Sequence, residues 1–352
     1  MTAGCAQIAA APVVVHDRAP RDVCDLYVSS RRDASAYHHP AWLDVIHRAF
    51  GHKTLYLVAE SDAAVCGVLP LVFFRSRLFG RFAVSVPFVN YGGILADHDE
   101  ARRALLDRAV EETRRAGSTH LELRHSGDQM FPQLAARRHK VAMELSLEPT
   151  VDRQWQTLDR KVRNQVRKAE KSGLTLEEGG LELLPAFYAV FAHNMRDLGT
   201  PVYGVDFFRE VLRAFPDRSR VVCVLHQGHP VAASLVHWHR DTIEVPWASA
   251  LRASNPLCAN VLLYWTMIQF AITRGIRTFD LGRSTPGGGT YVFKKQWGAA
   301  PRPLVWEYWT DGRALPTLSP ENPKFGLAIR TWQRLPVAVA TALGPRIVRH
   351  IP

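Results

Sequence analysis

The sequence predicts a mixed α/β (α+β) fold: mainly antiparallel sheets flanked by helices, arranged as two tandem domains. Three observations predict it. Short apolar runs of strand length recur along the chain, bounded by glycine and polar turns. Between them lie stretches with helical spacing and helix-forming composition. The same order of elements occurs twice, as antiparallel strands, one helix and a further strand. The offset of roughly 160 residues is too long for a solenoid repeat and suits a duplicated domain. A chain of 352 residues is long enough for two cores.

In the first half, residues 53–60, 65–74 and 82–88 read as strands, 101–116 as a helix, and 119–124 (THLELR) as a strand. His38-His39-Pro40 reads as the entry to a helix over 41–50, with proline near the first turn. In the second half, 220–225 and 231–239 flank a Gln227-Gly228 turn and predict a hairpin. Residues 242–248 form the next strand, 260–274 a buried apolar helix, and 276–281 (IRTFDL) the closing strand. Between the halves, Trp155, Leu158, Val162, Val166 and Ala169 make one apolar helical stripe over 151–173. Arg160, Arg163, Arg167, Lys168 and Lys171 share another face, suited to a phosphate backbone or to plain solvation. The expected domains are an N-terminal extension (1–35), a first domain (36–150), a linker helix with a second, catalytic domain (151–312), and a tail (313–352).

Composition bounds the function. The chain is 47% hydrophobic and 22% charged, ordinary for a globular protein. Its formal net charge of +11 favours a polyanionic ligand or an acidic membrane surface. The five cysteines, Cys5, Cys24, Cys66, Cys223 and Cys258, are scattered and form no CxxC pair, against a disulfide framework or a zinc knuckle. His237 and His239 share a strand face, but no third ligand stands in register, so no metal is expected. The N-terminus lacks a basic n-region and no apolar run reaches membrane-span length, so the cytoplasm is the expected compartment. The tail from residue 327 is apolar and basic (Arg330, Arg334, Arg346, Arg349), suited to packing on the second domain or to lying on a membrane face.

The stretch 278–298 carries the most chemistry. An apolar strand delivers Asp280 and Arg283 to its C-terminal end, a Gly287-Gly288-Gly289 link follows, and then Phe293-Lys294-Lys295-Gln296-Trp297. Asp280, opposed by alternation to Phe279 and Leu281, suits positioning or deprotonating an amine, or pairing with Arg283. Of Lys294 and Lys295, one can stabilise an oxyanion or hold a phosphate while the other faces solvent. Phe293 and Trp297 can stack a base or ribose, or simply pack. Asn90-Tyr91-Gly92-Gly93 is the corresponding loop of the first half, and Tyr203 sits in a connector (194–204) able to line a cleft. No Walker A sequence and no GxGxxG occur.

The element order resembles the core of GNAT acyltransferases. The glycine-rich pyrophosphate loop usual in acetyl-CoA enzymes is absent, since the matching places read Arg252-Ala-Ser-Asn-Pro-Leu-Cys and Tyr91-Gly-Gly-Ile-Leu. TFDLGRS (278–284), FKKQWG (293–298), RKVRNQVRKAEKSG (160–173) and YGGIL (91–95) together resemble FemAB-like proteins, over about residues 36 to 310. The branch they most resemble is the one associated with exosortase/PEP-CTERM systems. The resemblance implies two GNAT-like domains that move an amino acid from aminoacyl-tRNA to an amine of a peptidoglycan precursor, without CoA or metal. It matches Phe293 and Lys294 to the pair at the aminoacyl end of the tRNA, and Arg163 and Arg167 to the basic linker helix. The chain lacks the coiled-coil insertion of some members. An exopolysaccharide or its lipid-linked precursor is an equally good acceptor. The expectation is therefore a cytoplasmic acyl/aminoacyl transferase: Asp280 and Lys294 catalytic; Arg283, Arg163 and Arg167 on phosphates; Phe293, Lys295, Trp297, Asn90, Tyr91 and Tyr203 binding substrate. Two alternatives stand beside it: an acyl-CoA-dependent N- or O-acetyltransferase acting on a polysaccharide, and a non-catalytic RNA- or envelope-assembly-binding protein.

Overall fold

A computed structural model describes residues 12–76, 80–313 and 323–351. Among the described residues thirteen strands form a single sheet. They are β1 (Val14–His16), β2 (Lys53–Ser61), β3 (Ala64–Ser76), β4 (Gly80–Ser85), β5 (Leu95–Ala96), β6 (His120–Ser126), β7 (Ala135–Ser146), β8 (Leu174–Gly179), β9 (Ser219–His226), β10 (His229–His239), β11 (Thr242–Ala250), β12 (Thr278–Ser284) and β13 (Ala300–Thr310). The order is β1-β2-β3-β4-β6-β13-β7-β12-β11-β10-β9-β8, with β5 against β3. The last strand therefore returns to the middle, between β6 and β7, and strands from the two halves of the sequence interleave there. Pairing is antiparallel except for β4–β6 and β11–β12.

The strands of the sequence reading are present, apart from a shorter β4 that ends at Ser85. The hairpin turn falls at Gln227-Gly228, both with positive φ. The single helix expected over 151–173 is two: α4 (Val151–Thr157) and α5 (Arg160–Glu170). Leu158 is extended, and the Asp159 side chain accepts from the Lys161 amide, so a capping acid inside the apolar stripe starts a new helix. The stripe survives the break, because Leu158, Val162, Val166 and Ala169 are all buried.

Helices cover both faces. On one face α3 (Asp99–Arg115) packs on the first half, while α4, α5 and the apolar α8 (Ala259–Thr273) pack on the second. α1 (Arg21–Ser30) buries Cys24, Tyr27 and Val28 against β2 and β3. The other face is shared. There α2 (Ala41–Phe50), α6 (Leu184–Leu198) and α7 (Val205–Ala214) build one aromatic core spanning β3, β4, β9 and β10. Two more helices, α10 (Pro323–Gln333) and α11 (Val337–Val348), close the chain and pack on α6. No helix of the described residues is long and apolar enough to cross a membrane.

Candidate active site

Register places three carboxylates side by side. Glu244 on β11 stands opposite Asp280 on β12, and Asp280 opposite Glu144 on β7. Residues opposite one another share a face. Phe279 and Leu281 fill the α8 core, so Asp280 and its neighbours in the row project to the shared face. Asp280 is fully buried. It accepts the Tyr91 hydroxyl at 2.9 Å and the Gly282 amide at 2.7 Å. Glu144 is held by Arg302 on β13, Nε to Oε1 2.5 Å, and the Arg302 guanidinium lies over the Tyr91 ring at 5.0 Å. Glu244 is 3% exposed; its Oε2 and the nearby Tyr37 hydroxyl are buried without a hydrogen-bond partner of ordinary geometry.

Uncompensated acids in a buried row hold protons. Burial first, then the charge of Asp280, pushes Glu244 up to about 8. Burial likewise raises Asp280, against the lowering effects of the Gly282 amide, Tyr91 and Arg302. Burial raises both members of the pair, and Glu244, with fewer donors around it, is the one that keeps its proton at neutrality. Glu244, Glu144, Arg302, Tyr91, Arg124, His125 and His239 line a cavity of about 530 Å³ between the halves.

His239 joins this cavity to a second pocket, lined by Asp25, His39 and Arg218. His39 Nδ1 meets the Asp25 carboxylate at 2.8 Å, and His39 Nε2 meets His239 Nδ1 at 3.2 Å. A carboxylate only accepts, so His39 Nδ1 carries the hydrogen. An Arg218 N–H also approaches His39 Nε2, at 3.4 Å, which marks that nitrogen as the lone pair. His239 Nδ1 must then donate, leaving its Nε2 as a buried acceptor with no partner. Burial, then His39 and Arg218, pushes His239 down to about 3, so it is neutral.

On the other side of Asp280 lies Lys294. It sits on α9 (Gly289–Lys295), which follows the triple glycine, and is 7% exposed. Its Nζ donates to the carbonyls of Gly282 (2.9 Å) and Arg283 (3.0 Å), which spends two of three hydrogens. Burial brings it down to about 8, with Asp280 opposing. Gly282 has φ +82°, and a Cβ there would meet the Val245 carbonyl oxygen at 2.9 Å. The same point is 3.8 Å from both Asn90 Nδ2 and Lys294 Nζ, so only glycine lets these groups converge. Arg283 is exposed, and desolvation by the surrounding protein, then the charge of Arg124, lowers its pKa. Its guanidinium lies 5.4 Å from the Trp306 ring centre.

The structure thus gathers Asp280, Lys294, Arg283, Asn90 and Tyr91. Tyr203 is half-buried among Phe50, Phe88 and Phe207, within electrostatic reach of Arg283. The stacking role expected of Trp297 gives way to packing: it is 2% exposed, and Trp297 and Phe293 both pack against Tyr264 of α8. Lys295 points to solvent. Arg163 and Arg167 lie apart from the row on α5, half-buried and exposed respectively, and Arg167 covers the Trp155 ring at 5.4 Å. Glu244, Glu144 and Arg302 are absent from the sequence reading. The signal for the two glutamates was an acid at the centre of an apolar strand, in Thr-Ile-Glu-Val and Ala-Met-Glu-Leu; Arg302, between two prolines, carried none.

Residues 158–295 match the family described as Acetyltransferase (GNAT) domain. By sequence, no curated protein matches the chain. Among solved structures it is similar to FemX, at TM-score 0.65 and 14% identity over 84% of this chain and 96% of that one. It is also similar to the C-terminal domain of a putative lysylphosphatidylglycerol synthetase from Agrobacterium fabrum (TM-score 0.56, 11% identity, 82% and 91%). A third likeness is to a tandem GNAT protein from the clavulanic acid biosynthesis pathway (0.54, 13%, 84% and 94%). At these identities the likeness establishes the tandem GNAT-like fold, and the domain match establishes the class of chemistry. The chain carries a GNAT acetyltransferase domain and is an acyltransferase.

Proposed function

We propose that this acyltransferase is of FemAB type and moves an aminoacyl group from aminoacyl-tRNA to an amine of a cell-envelope precursor. The observation that carries the proposal is the buried row Glu244–Asp280–Glu144 beneath the cavity. Three carboxylates with one arginine among them attract a cationic amine, and Glu244, which sheds its own proton around pH 8, takes the amine's proton in its ionised form. The freed amine attacks the ester carbonyl. The new C–N bond forms, the C–O bond to the tRNA breaks, and the departing oxygen takes up a proton. Asp280, held by Tyr91 and Gly282, fixes the position of Glu244. The third N–H of Lys294 serves the oxyanion. Arg283, with α5, supplies the phosphate contacts.

The donor assignment is supported by the segment ahead of α8. Residues Arg252–Leu257 coil into a 3₁₀ helix in which the Ser254 amide bonds Leu251 O and the Cys258 amide bonds Asn255 O. Those two amides are spent internally, and the segment holds none of the glycines with which a pyrophosphate loop brings its backbone close to the ligand. The likeness to FemX agrees with this reading. The acceptor is a peptidoglycan or exopolysaccharide precursor, the latter if the chain belongs to the exosortase/PEP-CTERM branch. The GNAT domain match favours a second reading, acetyl transfer from acyl-CoA to a polysaccharide. Competition binding at physiological salt separates them, using aminoacylated tRNA, the same tRNA deacylated, and acetyl-CoA. Preference for the charged tRNA is expected. Equal affinity for both tRNAs overturns the aminoacyl donor, and binding of acetyl-CoA alone installs the second reading.

A further inference from the structure

The C-terminal helices carry a surface that the transfer chemistry does not use. On α11, Ala340, Gly344 and Val348 are buried at four-residue spacing, and Gly344 packs directly on the Val202 backbone. That stripe anchors the helix. A second stripe, Val339, Leu343 and Ile347, stays 40% exposed at each position, continued by Ile351 at 36%. Leu327 on α10 is 67% exposed. Residues 323–351 contain Lys324, Arg330, Arg334, Arg346 and Arg349 and no acidic residue. Of the four arginines, all exposed, only Arg349 makes a hydrogen bond from its side chain among the described residues, to Phe50 O.

An exposed apolar stripe on a wholly basic helix pair is the composition of an interfacial helix. The charge selects the occupant. A second copy of the chain would bring arginines against arginines around a narrow apolar strip, which opposes association. An anionic bilayer supplies hydrocarbon for the leucine and isoleucine side chains and phosphates for the arginines. We propose that α10 and α11 seat the enzyme on the surface of an anionic lipid membrane, with Val339, Leu343 and Ile347 in the headgroup–acyl boundary and the arginines on lipid phosphates. The acceptor would then be presented at the membrane.

The test is co-sedimentation of the full chain with phosphatidylcholine vesicles, with and without phosphatidylglycerol. Binding to the phosphatidylglycerol vesicles is expected, weakened by salt. The Leu343→Glu/Ile347→Glu protein should bind at least about tenfold less. Both positions are exposed, so an unchanged circular dichroism spectrum and melting temperature are expected. Arg330→Glu/Arg346→Glu should lose the preference for anionic lipid. No binding of the native chain, or equal binding by the apolar variant, overturns the proposal. A dimer dissolved by Leu343→Glu/Ile347→Glu also overturns it and gives the face to a second copy. Because no turnover is read, these outcomes stand apart from the fate of the aminoacyl-transfer proposal.

Discussion

β4 and β6 in the first half, and β11 and β12 in the second, run parallel and part after a short pairing. The last rung of the first pair is Val84–Glu122, and that of the second is Glu244–Asp280. Both therefore set a buried acid on the later strand, facing the shared core. In the first half it is neutralised: Arg124, 2% exposed, donates to Glu122 at 2.7 Å. The gap between those strands is closed by hydrogen bonds, from the Gly92 amide to Arg124 O, the Arg124 amide to Ser85 Oγ, and Arg124 Nη1 to Val89 O. In the second half the rung is acid against acid, and the gap holds the Lys294 ammonium. One opening is tied shut. The other keeps a proton and a cation in a low-dielectric site, where they are expensive unless a substrate uses them.

Removing the second acid is the most severe way to break this asymmetry. Glu244→Gln should lower kcat by about 10²–10⁴. The native rate should rise with pH through about 8, and that limb should vanish in the variant. Stability should move the other way. Glu244 titrates at 4.5 when unfolded and about 8 when folded, so between those values only the folded state holds the proton. Stability then falls as pH rises across that window. Glutamine removes this loss, so at pH 8 the variant should melt higher than the native protein, by up to a few kcal/mol. A lower melting temperature together with normal turnover would return Glu244 to a structural role.

Lys294→Met comes next, with a kcat loss of about 10²–10³ if its third N–H serves the oxyanion. Here the folded pKa is depressed, from 10.5 to about 8. The unfolded state binds more protons between those values, so native stability should rise with pH through that window, and the variant should lack the rise. Near-native turnover would discard the catalytic role. Glu122→Gln is the converse experiment. It leaves Arg124 buried without its carboxylate and should cost about 3–5 kcal/mol of stability, read by denaturant titration. Turnover per folded molecule should change by less than about threefold, because that rung touches no reacting group. A large kcat loss would mean that the first gap also takes part.

The sequence made the strands and the covering helices legible where period and turn chemistry were local. Residues 41–50, the hairpin at Gln227-Gly228 and α8 all lie where spacing put them. β7 was hidden because its first residues, Ala135 to Lys140, are basic and read as surface. β13 was hidden by Pro301 and Pro303, which argue against a central strand. They are tolerated because pairing with β6 begins only at Leu304, so along that side neither missing N–H is required by the ladder. The insertion of β13 between β6 and β7 is a long-range pairing that no local pattern carries. Asp280 and Lys294 stood out by their place at a strand end and after glycines. Glu244 and Glu144 did not, because an acid in an apolar strand gains meaning only when register sets it beside others.

The two halves differ again on their outer helices. On α3 three of the five arginines are neutralised within the helix: Arg102 pairs with Asp99, Arg108 with Glu112, and Arg115 with Glu111 and Glu112. On α5, Arg160, Lys161, Arg163, Arg167 and Lys168 make no ion pair among the described residues, and all but Arg163 are exposed. Like charges at this spacing cost helix stability, by about 0.2–0.5 kcal/mol for each neighbouring pair. The apolar anchor of Val162, Val166 and Ala169 offsets that cost. If the basic face holds a polyanion, Arg160→Ala/Lys168→Ala should lower the slope of log affinity for tRNA against log salt by about two. It should slightly raise the melting temperature and leave kcat at saturating donor unchanged, since neither residue reaches the acid row. The matching change on α3, Arg102→Ala/Arg108→Ala, should leave the salt slope alone, because those charges are already spent on neighbours. Equal slopes in all three proteins would make α5 a solvated face like α3, and would move the polyanion contacts to Arg283 and the cleft.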